Sequence, residues 1–202
     1  RPIHAYRALK MWRRSWLSRE VLMFSCFSGV SCLYAALLWP GVPGSLAVGT
    51  LTCLLGVGGV TASAWIYLVP ARPAWNSKHT IVEFFLTGAL LGPLLVAAIG
   101  VGDQRWLIAA AVSAAAAQLL NQAIKFLWLT ASDLFELQAS ARLLSTKLAS
   151  PFLWRGALLI LGGMAVPLFF PSTLGLYAAL VLAMAGEILG RYLFFVAVVP
   201  KN

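Results

Sequence analysis

Six ionisable residues lie inside long apolar stretches of the sequence: Glu20, Glu83, Lys125, Arg155, Glu187 and Arg191. Charged side chains are costly in hydrocarbon, so those found in apolar segments tend to mark binding sites or proton pathways. A carboxylate can accept a proton, and lysine or arginine can donate hydrogen bonds to a ligand oxygen. These residue types therefore suit proton transfer or the binding of a polar ligand at low dielectric.

Two groups of polar residues have helical spacing. Gln118, Gln122 and Lys125 follow i, i+4, i+7 spacing, which predicts one polar stripe facing protein or water. Glu187 and Arg191 are four residues apart, so they can pair on one helix face. Together these five residues form a candidate intramembrane polar or proton path, and a purely structural ion pair is equally compatible with the spacing.

Glu83 and Arg155 lie near the ends of their apolar stretches. Long side chains at such positions commonly extend towards the polar headgroups of the membrane. We therefore expect these two residues to snorkel to the surface.

Redox metal ligands are scarce in this sequence. Haem ligation inside a helical bundle needs histidines on the helices, whereas His4 and His79 both fall in predicted loops. Cys26, Cys32 and Cys53 have spacings that match no metal or redox motif. We predict no haem and no metal site in this chain, so any redox metal is expected in a partner.

The composition indicates a membrane protein. Hydrophobic residues make up 61% of the 202 residues and charged residues only 10%, against about 25% charged residues in soluble domains. The mean hydropathy is +0.87. The lysines and arginines that give the net charge of +9 flank the apolar runs instead of forming a basic face. Their placement therefore points to lipid headgroups or an acidic partner, and not to nucleic acid.

Six apolar runs are long enough to cross a bilayer as helices. The sequence thus predicts an all-α, polytopic bundle of six transmembrane helices, preceded by a basic amphipathic interfacial segment at 1–19 and followed by a short tail at 200–202. The bundle occupies 20–199, with runs at 20–39, 45–69, 81–101, 106–130, 152–170 and 174–199 and a longer polar loop at 131–151.

Glycine and proline positions predict how these helices pack. Small residues let helix backbones approach closely in lipid, so contacts are expected at the pairs Gly88/Gly92 and Gly186/Gly190 and at the cluster Gly56, Gly58 and Gly59. Pro93 and Pro167 are expected to kink their helices.

The positive charges fall almost entirely on one side of the predicted bundle. An even number of spans puts both chain ends on the same side, here named the N-face. Loops and termini on the N-face hold eleven lysines and arginines, whereas the opposite loops hold only Arg105. By the positive-inside rule the N-face is predicted to be cytoplasmic.

Three stretches of sequence resemble a known family. They are RPIHAYRALKMWRRSWLSREVL, IYLVPARPAWNSKHTIVEFFLTGALLGP and AGEILGRYLFFVAVVPKN, at the start, in the middle and at the end of the chain. All three resemble the membrane-anchor subunit family of dimethyl sulfoxide reductase-type molybdopterin oxidoreductases. SWLSRE, from Ser15 to Glu20, is the most specific element.

The resemblance implies a haem-free bundle of eight helices in the bacterial inner membrane, so that two helices are expected upstream of Arg1. It also implies binding of a quinone, either menaquinone or ubiquinone, and electron exchange with an iron–sulfur subunit that serves a molybdopterin catalytic subunit. Iron–sulfur clusters and molybdopterin are expected only in those partners. This chain is then the non-molybdenum subunit of a complex for anaerobic respiration.

The resemblance also implies a quinone site around SWLSRE. The family places a carboxylate associated with quinol binding at Glu20, and Ser18, Arg19 and Arg7 are the accompanying candidates. Quinol oxidation releases protons with its electrons, so a carboxylate at the membrane edge suits the role of proton acceptor. Arg7 and Arg19 are equally compatible with anchoring to lipid phosphates.

Two other functions remain open from the sequence. The polar residues within the spans would suit a small secondary transporter or proton-conducting protein, although no internal repeat is evident and the charges gather towards one face. A passive anchor that binds no quinone is the other alternative. The terminal substrate and the direction of electron flow are not encoded in this chain.

Overall fold

The computed structural model describes residues 11–39 and 45–201. Within these residues the fold is all-α, without a β-strand, as the sequence predicts. The chain forms two compact units, Arg1–Leu68 and Val69–Asn202, here named unit 1 and unit 2. The predicted segment at 1–19 falls mostly outside the described residues, and its interfacial role stays a prediction.

Six helices of the described residues are long and apolar enough to cross a membrane, which confirms the predicted spans. Their bounds are Trp16–Leu38 (α1), Ser45–Ile66 (α2), Lys78–Ala98 (α3), Gln104–Ala131 (α4), Ala149–Phe169, and Thr173–Val196 (α8). The span Ala149–Phe169 consists of α6 (Ala149–Ile160), a π-helical turn (Leu161–Ala165) and α7 (Val166–Phe169).

Unit 1 is a pair of helices, α1 and α2, that pack along their lengths. Glycines of α2 receive aromatic side chains of α1. A Cβ atom on Gly59 would lie 2.9 Å from the ring of Phe24, and one on Gly56 would lie 3.2 Å from Phe27. The predicted packing role of this glycine cluster is confirmed, because only a hydrogen in place of a side chain leaves room for the rings.

Unit 2 places α3 between α4 and α8, while α6 packs mainly against α8. Its middle is an apolar cluster of fully buried leucines and alanines, including Leu90, Leu94 and Leu159. The predicted contact at Gly186 and Gly190 is confirmed, since α6 lies directly against both. Gly88 and Gly92 have open space where a side chain would begin, so the contact predicted there is not made within unit 2.

The π-helical turn lies directly before Pro167 in the sequence. Proline has no amide hydrogen and its ring clashes with the carbonyl four residues earlier, which here belongs to Gly163 within the turn. A widened turn is a common way to accommodate such a break in the hydrogen-bond ladder. Pro93, by contrast, lies within the uninterrupted helix α3.

One helix was not expected. The predicted loop at 131–151 contains α5, Phe135–Ser145. Its buried residues Leu137, Ala141 and Leu144 recur with helical spacing and pack on the ends of α4 and α8. At 11 residues α5 is too short to cross a bilayer, so it covers one end of unit 2.

The N-face loops meet at that same end. The Trp75 indole donates to the carbonyl of Phe194 at 2.7 Å, and the Val199 amide donates to the Ser140 hydroxyl on α5 at 3.3 Å. The Lys201 amide donates to the carbonyl of Ala71 at 3.0 Å. The segment before α3, helix α5 and the segment after α8 therefore share one end of unit 2, as the alternation of six spans requires.

Candidate functional site

Glu20 lies one turn into α1, opposite the last turn of α2. The Ser63 hydroxyl of α2 donates a hydrogen bond to Oε1 of its carboxylate. Ser63 is buried, and the second carboxylate oxygen has no hydrogen-bond partner among residues 11–39 and 45–201. Antiparallel packing of α1 and α2 brings the two residues together, because each lies near the same end of the pair. The free oxygen can accept a further hydrogen bond or a proton.

A stacked pair of tryptophans lies at the same end of the α1/α2 pair. The rings of Trp16 and Trp65 have centroids 5.0 Å apart at an angle of 28°. Trp16 is four residues before Glu20, and Trp65 is two residues after Ser63. Both rings are partly exposed, which is usual for tryptophan at a membrane interface. They provide an aromatic surface at the end of the helix pair that holds Glu20 and Ser63.

Arg19 is engaged with the start of its own helix. Its guanidinium lies 4.2 Å from the Trp16 ring centroid and donates to the carbonyls of Trp12 and Arg13 at 2.9 and 3.0 Å. Arg19 therefore holds the turn before α1 in place. Ser18 is buried on α1, and Arg7 lies outside the described residues. The predicted quinone contacts of Arg7, Ser18 and Arg19 stay predictions.

A second polar centre lies inside unit 2, where Glu83 of α3 joins two cations. Its carboxylate is 2.8 Å from the Arg155 guanidinium of α6 and 3.3 Å from the Lys125 ammonium of α4. Glu83 and Arg155 are only 6% and 7% exposed, so the prediction that they snorkel to the surface is wrong. Burial removes water from both charged groups, and their pairing offsets the free-energy cost of that desolvation.

Gly190 of α8 makes room for the guanidinium of Arg155. A Cβ atom at this position would lie 2.6 Å from Nε and 2.7 Å from Cζ of Arg155. The predicted small-residue contact at Gly190 is thus a contact between a helix backbone and a buried charge. Any larger residue would force the guanidinium of Arg155 to shift.

Glu187 and Arg191 do not pair with each other, contrary to the expectation from their spacing. The Thr87 hydroxyl of α3 donates to Glu187 Oε2 at 2.6 Å, and the Arg191 guanidinium lies 3.7 Å from the Phe84 ring centroid. Helix α3 supplies both of these partners. A hydroxyl and an aromatic face on the neighbouring helix replace the ion pair within α8.

The predicted stripe on α4 faces the interior of unit 2. Gln118 is 2% exposed, and Gln122 donates a long hydrogen bond of 3.4 Å to the carbonyl of Phe152. Beside the stripe, the Asn121 carbonyl oxygen lies 2.8 Å from Nδ1 of His79, which is in the first turn of α3 and not in a loop as predicted. The stripe therefore runs from Gln118 to Lys125, which forms the ion pair with Glu83.

A cavity of about 50 Å³ adjoins this second centre. Its lining includes Glu83, Gln122, Lys125 and Arg155. Pockets that enclose drug-sized ligands usually measure roughly 300 Å³ or more, whereas one water needs about 10–15 Å³. This cavity suits water and is too small for a quinone ring.

Sequence reasoning does not single out Ser63 or Thr87. Thr87 could have been found, because Glu83 and Thr87 are four residues apart and form a polar stripe like that of α4. Ser63 carries no comparable signal, since it is one of several small polar residues in α2 and only the packing of α2 on α1 selects it.

Comparison with known proteins identifies the family. Residues 1–196 match the family model described as DMSO reductase anchor subunit (DmsC). The chain belongs to the DMSO reductase anchor subunit family. Membership in this family and six helices that can cross a membrane make the chain a multi-pass membrane protein and support its assignment as the anchor of a molybdoenzyme complex.

Two curated relatives are similar to this member of the anchor family. The chain is 32% identical over 213 residues to the anaerobic dimethyl sulfoxide reductase chain YnfH of Escherichia coli (strain K12). The alignment covers 96% of this chain and 72% of the relative. The chain is 34% identical over 113 residues to a sulfite dehydrogenase subunit of Allochromatium vinosum, covering 48% of this chain and 34% of the relative. No solved structure matches significantly.

Proposed function

We propose that this anchor subunit binds a quinone, without haem, and exchanges electrons between it and an iron–sulfur subunit of a molybdopterin oxidoreductase complex. The observation that carries the proposal is the carboxylate of Glu20 at the end of the α1/α2 pair. One of its oxygens is held by Ser63, and the other is free within the described part of the chain. Membership in the anchor family supports the same assignment.

The residues around Glu20 fit the chemistry of a quinone headgroup. Trp65, which stacks on Trp16, offers an aromatic surface at this end of the helix pair, and the free carboxylate oxygen offers a hydrogen-bond acceptor. A bound quinol would pass two electrons to the iron–sulfur subunit and release two protons. Glu20 accepts one of these protons on its free oxygen, and the other passes to water at the membrane edge. The Ser63 hydroxyl fixes the orientation of the carboxylate by donating to the other oxygen.

The second polar centre is a poor candidate for the quinone site. Glu83 is already engaged by Lys125 and Arg155, and the adjoining cavity of about 50 Å³ admits only small molecules. A quinone ring could enter only if the ion pairs separated, which would leave buried charges unpaired. The α1/α2 end is therefore preferred.

The partner subunits are proposed to dock on the N-face, and the N-face is proposed to lie in the cytoplasm of a bacterial inner membrane. Eleven of the lysines and arginines belong to N-face loops and termini. The opposite connections, between α3 and α4 and between α7 and α8, contain only five and three residues. Connections of this length offer little surface for a large soluble subunit.

Purification of the intact complex tests this function directly. We expect bound quinone in the membrane fraction, iron and molybdenum in the soluble partners, and no haem spectrum. Iron and molybdenum without quinone would leave a passive anchor, and the absence of all three would favour a transporter. Either result would contradict the proposal.

A further inference from the structure

The interior of unit 2 contains buried polar atoms that protein groups do not satisfy. Besides Oγ of Ser77, directly before α3, five such atoms have no hydrogen-bond partner among the described residues: both polar atoms of the Gln118 amide, Oε1 of Gln122, Nε of Arg155 and Oε1 of Glu187. Buried polar atoms of native proteins are nearly always hydrogen-bonded to protein or to ordered water. Leaving all five unpaired would cost free energy comparable to the stability of a whole domain.

The cavity described above offers partners for two of these atoms, because Gln122 and Arg155 line it, whereas Gln118 and Glu187 lie beyond its lining. At one end it is lined by Glu83, Gln122 and Arg155, and at the other by Trp75 and Val198, which belong to the N-face end of unit 2. Its volume of about 50 Å³ has room for roughly three or four water molecules.

The polar groups occupy successive depths below the N-face end. Glu83, Lys125 and Arg155 are five or six residues from that end of their helices, which corresponds to about 8–9 Å. Thr87, Gln122 and Glu187 lie one turn deeper. Gln118 lies a further turn below Gln122.

Glu187 is the carboxylate without a cation in this series. Among the described residues no lysine or arginine nitrogen lies within 4.0 Å of its carboxylate, and Thr87 is its hydrogen-bond partner. On the neighbouring elements the charged groups are Lys125 and Arg155, which both pair with Glu83. On its own helix the charged group is Arg191, which lies over Phe84.

Below this polar region the helices become apolar. Along α3 the same face carries Glu83, Thr87, Leu90 and Leu94 in order, and both leucines are fully buried. They pack with Leu159 and the alanines of α4 and α8. Such packing excludes water from the other half of unit 2.

We propose that water molecules fill the cavity and continue one helical turn deeper, beside the unpaired atoms of Gln118 and Glu187. This chain of water exchanges protons between the N-face end of unit 2 and Glu187, and the pathway stops at Leu90 and Leu94. Each exchange moves one proton between a water molecule and a carboxylate oxygen, and no electron is transferred. The pathway does not depend on quinone binding at Glu20. Because it opens at one face only, it does not carry ions across the membrane.

A structure of the assembled complex in lipid nanodiscs, determined at a resolution that shows water, tests the binding site. We expect water density within hydrogen-bond distance of Gln118, Gln122 and Glu187. Protein partners for these atoms, with no water density between them, would overturn the proposal.

Infrared spectroscopy of the same complex tests proton exchange. We expect a carboxyl band that Glu187→Gln removes and that shifts within minutes of transfer to D2O. Gln122→Leu, which makes the middle of the pathway apolar, should slow this shift at least tenfold. Ser113→Leu is the matched control, since it removes an exposed hydroxyl from the same helix and should change nothing.

Three results would refute proton exchange at Glu187. They are the absence of a band sensitive to Glu187→Gln, exchange that takes hours in the unmodified complex, and equal exchange rates in Gln122→Leu and Ser113→Leu. If Gln122→Leu fails to assemble, Gln122→Met makes the same position apolar with a side chain closer in shape to glutamine. An unchanged exchange rate in Gln122→Met would overturn the proposal equally.

Discussion

At the scale of single residues, this protein keeps its buried charges together instead of sending them to the surface. Glu83 lies between Lys125 and Arg155, and Gly190 leaves the space that the guanidinium fills. A buried pair of this kind adds little net stability compared with apolar residues, but removal of one partner leaves the others uncompensated. The ion cluster therefore constrains how α3, α4 and α6 fit together.

Glu83→Gln should destabilise unit 2 strongly. The substitution leaves two buried cations facing a neutral amide, for which a loss of about 3–5 kcal/mol in unfolding free energy is usual. Unfolding in mixed micelles by a denaturing detergent measures it. Glu136→Gln, on the surface helix α5, should change the value by less than about 0.5 kcal/mol. Equal stability of the two variants would show that the cluster does not hold the helices.

Ser63→Ala should weaken, but not abolish, the function proposed for Glu20. It removes the hydroxyl that orients the carboxylate, and the loss of one hydrogen bond is worth about 1 kcal/mol, or roughly fivefold in rate. Quinol-dependent turnover of the complex is the measurement. Ser28→Ala is the control, because the Ser28 hydroxyl bonds within its own helix. A fivefold loss in Ser28→Ala alone would exclude a specific role for Ser63.

The candidate site was only partly predictable from the sequence. Glu20 was identified by its resemblance to the family motif, and the inward stripe of Gln118, Gln122 and Lys125 followed from helical periodicity. The partners were not predictable. Glu83 is 42 residues from Lys125 and Glu187 is 100 residues from Thr87, so their pairing depends on how helices distant in sequence pack.

At the scale of elements, length and hydropathy were sufficient to predict all six spans, because a bilayer imposes one length on every crossing. The same criteria overlooked α5, whose 11 residues mix charges with three buried apolar positions. The helical spacing of Leu137, Ala141 and Leu144 within the loop is the signal that would have identified α5. The π-helical turn had no signal beyond Pro167 and the preceding glycines.

Two glycine-to-alanine substitutions distinguish the effect of helix packing on the unfolding free energy from the effect of helix propensity. A Cβ on Gly162 would overlap the backbone of α8 at Ala183 and lie 2.8 Å from the Ala179 carbonyl oxygen, whereas a Cβ on Gly88 would meet nothing within 4 Å. Gly162→Ala should therefore cost about 1–3 kcal/mol, and Gly88→Ala should be neutral or stabilising by up to about 1 kcal/mol. Detergent unfolding of both variants measures the difference. Similar values would contradict the close approach of α8 to the π-helical turn.

At the scale of the whole molecule, the distribution of charge predicts how the anchor sits in the membrane. The N-face end of unit 2 carries Arg72, Arg142 and Lys147, whereas the opposite end has a short connection between α3 and α4 and only Arg105, in the first turn of α4. Anionic lipids and the positive-inside rule both favour a cytoplasmic N-face.

Thiol labelling in intact cells tests this orientation. In a background with Cys26, Cys32 and Cys53 replaced by alanine, Asn76→Cys should resist a membrane-impermeant reagent added from outside, and Val101→Cys should react. Both positions are exposed and lie at opposite ends of unit 2. Reaction at Asn76→Cys with protection of Val101→Cys would reverse the orientation.

The central claim is that this anchor subunit takes part in quinol chemistry through Glu20, and turnover of the assembled complex tests it most directly. Glu20→Gln keeps the shape of the side chain and removes its ability to accept a proton. We predict that quinol-dependent turnover falls at least about tenfold, the scale expected for loss of a general base, while activity with an artificial electron donor to the molybdenum subunit is unchanged. Unchanged quinol turnover in the fully assembled Glu20→Gln complex would contradict the claim.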